Sequence, residues 1–415
     1  MANRQRFPAL GYRDFRLFWY GQFVSLIGTW MQTTVQPYLA YKLTDQPFYL
    51  GLIGFANALP AFILILPGGV IIERLNKRKT VIILQFVMML QAFTMAYLAL
   101  SGKIQYWHIL VLTMVLGTAN ALEITARQAM LSELVDREAL PNAIALNSTI
   151  FNAARVIGPS LSAPFLILIQ NGGEGWAFFA NAVSFIFVII GLFLIRSQSR
   201  PGIDRSQPIS RKDFAESLSF IRSTPLVAAL VITVTIPSFF AFPFTQQIPV
   251  FARDVLGTVS DTAASVATRN SLMVTSQGIG ALVAALFLAA FSYIRRKTLV
   301  MTIGQYTFTI ALIGLGFART TVFAYPLMAL AGFGMVTQLA LYNTLIQLST
   351  PNGLRGRVLS TYLWAMNGTA PFGSLFVGWV TQRFGAPAAV ILGGGICLLG
   401  YTILHITRPH LHQST

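Results

Sequence analysis

Glu123 and Arg127 stand four residues apart in ALEITARQAM, and Arg155 stands in NAARVIGPSLSAP between two apolar runs. An acid and a guanidinium one turn along share one face of a helix. Burial favours the neutral carboxyl and an approaching guanidinium favours the carboxylate, so protonation can follow a change of shape. Glu123, Arg127 and Arg155 are therefore candidate proton-coupling residues. The alternative is a buried ion pair that only fixes helix packing. Other chemistries lack their residues. There is no G-x-x-x-x-G-K-S/T phosphate loop, so ATP is not expected as an energy source, and Gly278-Ile279-Gly280 lies inside an apolar run. Cys397 is the one cysteine, which excludes a disulfide within the chain. His108, His405, His410 and His412 lack metal spacing, and no nucleophile stands near a base. No metal, no cofactor and no enzymatic activity are expected.

The elements that must hold these residues follow from composition. Hydrophobic residues make up 55% of 415, charged residues 10%, and mean hydropathy is +0.65. A soluble domain carries roughly 25% charged residues. The chain therefore reads as a polytopic membrane protein. Its net charge of +16 lies in short loops between apolar spans, which is membrane topology and excludes a nucleic-acid partner. A window of about 19 residues finds twelve spans. They are Phe15 to Leu43, Tyr49 to Ile72, Thr80 to Leu100, Trp107 to Arg127, Asn142 to Ile169, Trp176 to Ile195, Leu226 to Phe251, Asn270 to Tyr293, Thr298 to Ala318, Val322 to Leu345, Val358 to Gln382 and Ala386 to Thr407. The N-terminal MANRQRFPALGYRDFR is too long and charged for the start of a signal peptide, so the first span is expected to remain.

Basic residues set the orientation. Arg13 and Arg16, Arg74 to Lys79, Arg295 to Lys297, Arg355 and Arg357 fall on one side with Arg200, Arg205, Arg211, Lys212 and Arg222. The opposite loops hold isolated charges such as Lys42, Lys103, Glu174 and Arg319. Both termini are expected in the cytoplasm, beside an anionic leaflet.

A long connection near the midpoint prompts a search for a repeat. Ser148, Asn152, Arg155, Pro159 and Ser162 form one stripe of a helix, and a shift of 212 gives Ser360, Trp364, Asn367, Pro371 and Ser374. Two homologous six-helix bundles are expected: 1–196, a cytoplasmic linker at 197–224, and 225–415. The fold class is all-α and polytopic, with twelve transmembrane helices.

This plan resembles the major facilitator superfamily. Gly69, Glu73, Arg74, Lys77 and Arg78 match the superfamily's G-x-x-x-D-R-x-G-R/K-R/K loop, with Glu73 for aspartate and Asn76 for glycine, a residue that tolerates a left-handed turn. The resemblance makes that loop a gating latch. Ala154, Gly158, Pro159 and Ser162 fall on the helix-five antiporter motif, each position small or kept, which implies close helix packing. ARQAMLSELVDREALPNAIALNS, GEGWAFFANAVSF and GWVTQRFGA are similar to the branch that holds the enterobactin exporter and related drug exporters. In that family a central cavity is lined by helices one, four, five, seven, ten and eleven. It implies a cavity formed here by Gln32, Gln36, Asn120, Asn152, Phe242, Gln246, Gln338, Trp364 and Asn367. The implied activity is proton-coupled export of a siderophore or amphiphilic drug-like molecule by alternating access, from a monomer in a bacterial inner membrane. Import, export of another metabolite or lipid, and a transporter-like receptor or assembly subunit that moves nothing stay open as alternatives.

Overall fold

The computed structural model describes residues 7–169, 172–196, 211–291, 296–351 and 354–407, leaving aside the side chains of 65–71, 73, 74, 168, 211–215, 217 and 355–357. The described chain is helical without a strand. After a 3-10 turn at Pro8–Gly11, helices α1 (Arg13–Thr44), α2 (Pro47–Arg74), α3 (Lys77–Leu100), α4 (Tyr106–Leu131), α5 (Leu140–Leu168) and α6 (Gly173–Leu194) follow in order. Then come α7 (Arg211–Ser223), α8 (Pro225–Phe240), a 3-10 turn at Phe242–Gln247 and the short α9 (Ile248–Val250). A π turn at Phe251–Val255, α10 (Ala263–Ala290), α11 (Lys297–Phe317), α12 (Thr321–Ser349) and α13 (Arg355–Thr407) complete the order.

By length and composition, 10 of the described helices can cross a membrane. One of them, Val358–Thr407, holds two spans, because Gly385 takes φ 84° and turns the chain between them. Only glycine adopts that conformation without strain, and Pro387 follows as an opener of the next helix. α1 supplies the remaining span. Its hydropathy is lowered by Gln22, Ser25, Gln32, Thr34 and Gln36, all buried inside the protein and away from lipid. An all-α polytopic fold is what the apolar spans dictated.

Three elements depart from expectation. Span seven is not one helix: α8 ends at Phe240, and the chain continues through 3-10 and π turns to Val255. Pro237, Pro243 and Pro249 each remove a backbone donor, which a straight helix could not spare so often. α10 begins at Ala263 instead of Asn270, because Thr262 and Ser265 form a capping box and Asp261 neutralises Arg269. Part of the connection at 197–224 is the helix α7, whose Ile221 is buried with Val227, Leu230 and Tyr342; residues 197–210 lie outside the described chain.

The chain forms two compact units, Met1–Gln36 with Ile63–Pro208 and Pro37–Phe62 with Ile209–Thr415. In the first unit α3 packs on α6 and α4, and α1 packs on α6, where a Cβ at Gly21 would lie 2.7 Å from the Val188 backbone. The core there gathers Phe15, Phe18, Val81, Ala126 and Phe185. In the second unit α10 and α11 pack on α12, and α8 and α11 on α13. The α10–α12 seam is reciprocal: a Cβ on Gly280 would meet the Ala329 carbonyl, and one on Gly332 the Gln277 carbonyl. Gly332→Val is expected to cost about 1–3 kcal/mol or more by overpacking, read as a lower melting temperature in detergent. An unchanged melt would show that the seam can spread.

Candidate functional site

α4 carries the charge pair. Glu123 and Arg127 are 3% and 6% exposed, and the Arg127 Nε lies 3.1 Å from a Glu123 carboxylate oxygen. Gln85 of α3 donates to the same carboxylate at 3.0 Å, and Arg127 donates to Asn147 of α5 at 3.2 Å. Four side chains from three helices thus surround the pair, and bonds from Gln85 and to Asn147 are what make a buried pair tolerable. Gln85 and Asn147 were not legible as members: only the fold sets α3 and α5 against this turn of α4.

Arg155 does not join them. Its guanidinium lies 5.4 Å from the Trp30 ring centroid, over a ring that meets Phe151 edge-on at 5.6 Å. Arg155 is partly buried and makes no ion pair among the described residues. A cation on an aromatic face is held by the ring quadrupole and keeps its remaining donors for another partner. The expected second partner of Glu123 is replaced by a separate cationic, aromatic patch on α1 and α5.

Gln32 and Gln36 are engaged within the first unit. They are 1% and 4% exposed and belong to a buried amide network across α1, α3, α4 and α6. Asn181 donates to Gln32 at 2.6 Å, and Gln32 donates to Gln36 and Gln91, each at 3.2 Å. Gln36 donates to Thr113, which donates to the Ile109 carbonyl at 2.6 Å. The helical stripe on α1 was polar because helices meet there, and buried amides must be paired. Asn120 and Asn152 are partly exposed, and Asn152 donates back to the Ser148 carbonyl at 2.8 Å.

The second unit repeats the pattern. Gln338 is wholly buried, accepting from Tyr401 at 3.0 Å, while Gln305 donates to Tyr342 at 2.7 Å and Tyr342 to the Thr233 carbonyl at 3.1 Å. Gln338 therefore joins α12 to α13. Phe242 is partly buried against Phe308 at 5.4 Å, and Trp364 lies 5.6 Å from Phe62. Asn367 donates to the Leu363 carbonyl at 2.8 Å, and the Gln246 stem runs beside Gly54. Trp364, Asn367, Phe242 and Gln246 keep partial exposure; they do not form one cluster with Gln338.

In the loop motif, Gly69, Glu73 and Arg74 belong to α2, and their side chains lie outside the described residues. Lys77 is ion-paired with Glu133 at 3.0 Å, and Arg78 donates to the Leu192 and Phe193 carbonyls at 2.8 and 2.9 Å. Arg78 thus caps the C-terminal, partly negative end of α6. Asn76 has φ −70°, not a left-handed value: its side chain caps α3 by accepting from the Lys79 amide at 3.0 Å. A helix N-cap demands an extended backbone and a short acceptor, which asparagine supplies. On α5, Ala154 is buried beside Leu26, and a Cβ at Gly158 would lie 2.7 Å from the Ile27 carbonyl. Ser162, below the Pro159 kink, donates to the Pro159 carbonyl at 2.7 Å.

The charges at the other end of the helices are not isolated. Arg253 donates to Asp45 and, at 2.8 Å, to Asp254; Tyr41 donates to Asp254; and the Arg253 guanidinium lies 4.2 Å from the Tyr41 ring centre. Asp45 sits at φ 53°, in the two-residue turn between α1 and α2. Arg269 grips both Asp261 oxygens at 2.8 and 2.9 Å and the Ala252 carbonyl. Lower down, Gly51 and Gly54 of α2 lie against Ser374 of α13. Within the second unit, the end of α1 and the start of α2 are clamped to α10, α13 and the 242–255 turns. The signal in the sequence was four charges, Arg253, Asp254, Asp261 and Arg269, inside 17 residues.

Arg269 holds the Asp261 carboxyl well below the usual carboxylate range, with the Thr258 amide adding to the effect. A depressed folded value means a stabilising contribution that is present above the unfolded value, about 3.9, and is lost as pH falls toward the folded one. Asp261→Asn is expected to lower the melting temperature by a constant amount between pH 7 and about 5, with the difference shrinking only in stronger acid. A difference that vanishes already by pH 6 would contradict the pairing.

The chain is similar over its whole length to known transporters. It is 23% identical over 424 residues to the multidrug efflux pump Tap of Mycolicibacterium fortuitum, covering 98% of each. It is 22% identical over 395 residues to the enterobactin exporter EntS of Citrobacter koseri, covering 94% of this chain and 91% of that protein. Among solved structures, a POT family transporter superposes with a TM-score of 0.75 at 10% identity, covering 96% of this chain and 97% of the other. A bacterial homologue of the lysosomal transporter Spinster superposes with 0.69 at 13%, covering 96% of each. These likenesses bear on the fold, and residues 6–414 match the family described as transmembrane secretion effector. With its apolar helical spans and its loop between α2 and α3, the chain belongs to the transmembrane secretion effector family of the major facilitator superfamily.

Proposed function

We propose that the protein is a secondary active exporter that moves a siderophore or an amphiphilic, drug-like molecule out of the cell in exchange for protons, by alternating access. The observation that carries this reading is the buried Glu123–Arg127 pair with its partners Gln85 and Asn147. An ionisable acid at membrane depth is costly and marks a proton or ion path. Protonating Glu123 removes the charge that holds Arg127 and leaves Arg127 to Asn147 of α5 alone, while Gln85 keeps its bond to the neutral carboxyl. Efflux as the direction is supported by the names of the relatives, a multidrug efflux pump and an enterobactin exporter. Arg155 on Trp30 offers a cation beside an aromatic face, which suits a substrate with ring systems and anionic or polar oxygens. With both termini cytoplasmic, the clamp around Arg253 secures the outer ends of the second unit's helices.

The test is uptake into everted membrane vesicles across siderophores, drug cations and lysolipids, with and without an imposed acid-inside gradient. Saturable accumulation of one class that collapses with a protonophore is expected. Equal accumulation without the gradient would remove proton coupling, and accumulation only in right-side-out vesicles would reverse the direction.

A further inference from the structure

Between α3 and α6 the first unit has a groove of about 500 Å³ with a wholly apolar lining that includes Ile83, Phe86, Phe93, Ile186 and Phe193. From Ile82 to Phe93 the α3 wall runs about 16 Å at 1.5 Å per residue, close to the roughly 15 Å depth of one leaflet's hydrocarbon. Ile83, Phe86, Ile186 and Phe193 are 62, 48, 38 and 64% exposed, so the groove opens outward from the helices. One end of it is strongly basic. Lys79 is exposed and precedes Ile82 and Ile83 by three and four residues, which puts it on the groove's own face of α3. Arg78 is fixed there by its bonds to the Leu192 and Phe193 carbonyls, and Phe193 is itself part of the lining. The acids nearby are engaged: Glu133 with Lys77 at 3.0 Å, and Asp14 with Arg13 at 3.5 Å and the Arg196 amide at 3.1 Å. Neither Arg78 nor Lys79 is in an ion pair among the described residues.

We propose that the α3/α6 groove is a binding site for one anionic phospholipid of the bilayer, an acyl chain lying between Phe86, Phe93 and Ile186 and the phosphate meeting Lys79 and Arg78. A net-neutral phospholipid such as phosphatidylcholine brings a choline cation with its phosphate, which the two basic side chains disfavour, so net charge selects the occupant. Because the same Arg78 caps α6 and α3 carries Gln85, the bound lipid braces α3, whose Gln85 bonds to Glu123 of α4.

Native mass spectrometry of the full chain, released from detergent with added phosphatidylglycerol or phosphatidylcholine, tests the site. A single retained phosphatidylglycerol is expected to exceed phosphatidylcholine, and Lys79→Gln is expected to cut that preference roughly fivefold, the worth of one basic residue at a charged membrane surface. Lys103→Gln, at the opposite end of α3, should leave the preference intact. Ile186→Trp, which fills the groove without touching a charge, should lower retention of both lipids. Lys79 is exposed, so its replacement tests binding with folding undisturbed. Equal retention of the two lipids by the wild type, or a Lys79→Gln protein with unchanged preference, would overturn the proposal. Loss in Lys79→Gln with full retention in Ile186→Trp would leave only surface attraction and would equally defeat the groove.

Discussion

Replacing Glu123 with glutamine is expected to leave a folded protein that no longer concentrates its substrate against a gradient. Glutamine keeps the size of the side chain and a hydrogen-bond partner for Gln85, so the α3–α4 contact survives. It cannot take up or release a proton. Downhill substrate exchange between vesicle faces should therefore persist while proton-driven accumulation is lost. The substitution also strands Arg127 in a buried site with Asn147 as its remaining partner. Removing one member of a buried pair costs about 3–5 kcal/mol, so the melting temperature should fall and should recover when Arg127→Gln is added. Three outcomes separate the readings. Uphill export at normal rate in Glu123→Gln would remove this residue from coupling. Recovery of both stability and uphill export in the double variant would make the pair structural only. Recovery of stability without uphill export is the expected result. Arg155→Ala, by contrast, should weaken substrate binding before coupling, since Arg155 stands on Trp30 apart from the pair.

Arg253→Ala should open the clamp at the other end of the helices. Arg253 holds Asp45 and Asp254 and covers the Tyr41 ring, so one truncation frees Asp45 in the α1–α2 turn and leaves the Tyr41–Asp254 bond as the remaining tie to the 251–255 segment. Its side chain is 37% exposed, which limits each ion pair to about 1 kcal/mol or less. With the ring contact the sum is about 2 kcal/mol, or roughly thirtyfold in the closed-to-open ratio. The chain's one cysteine, Cys397, is buried, so a Cys397→Ser background makes labelling clean. Ser374→Cys places a thiol beside Gly51 and Gly54, under the clamp. Its reaction with an impermeant maleimide is expected to rise at least about tenfold when Arg253→Ala is added, less than the full thirtyfold because the Tyr41–Asp254 bond remains. Unchanged labelling would mean that the contacts below, at Gly51, Gly54 and Gly378, hold this end closed without the charges.

Much of the fold was decided by one-dimensional properties. Length, hydropathy and glycine or proline punctuation placed the spans, since a bilayer demands that a spanning backbone satisfy itself and an apolar run of about 20 residues does so as a helix. Glu123 with Arg127 was legible as a pair because four residues is one turn. Polarity, however, does not say what it faces. Gln32, Gln36 and Gln338 have the same stripe spacing as cavity residues would, yet each is buried against amides, a hydroxyl or a tyrosine from other helices. Arg155 shares its face with Asn152 and Ser162, yet it meets Trp30 from α1 instead of Glu123 from α4. The clamp joins Asp45 to Arg253 across 208 residues of chain. The sequence by itself determined that the chain crosses a membrane as helices, and which turn of α4 carries a charge pair. Tertiary structure alone decided which polar faces became helix seams and which kept their exposure, because a buried amide or charge is fixed by the partner that satisfies it, and that partner lies on another helix.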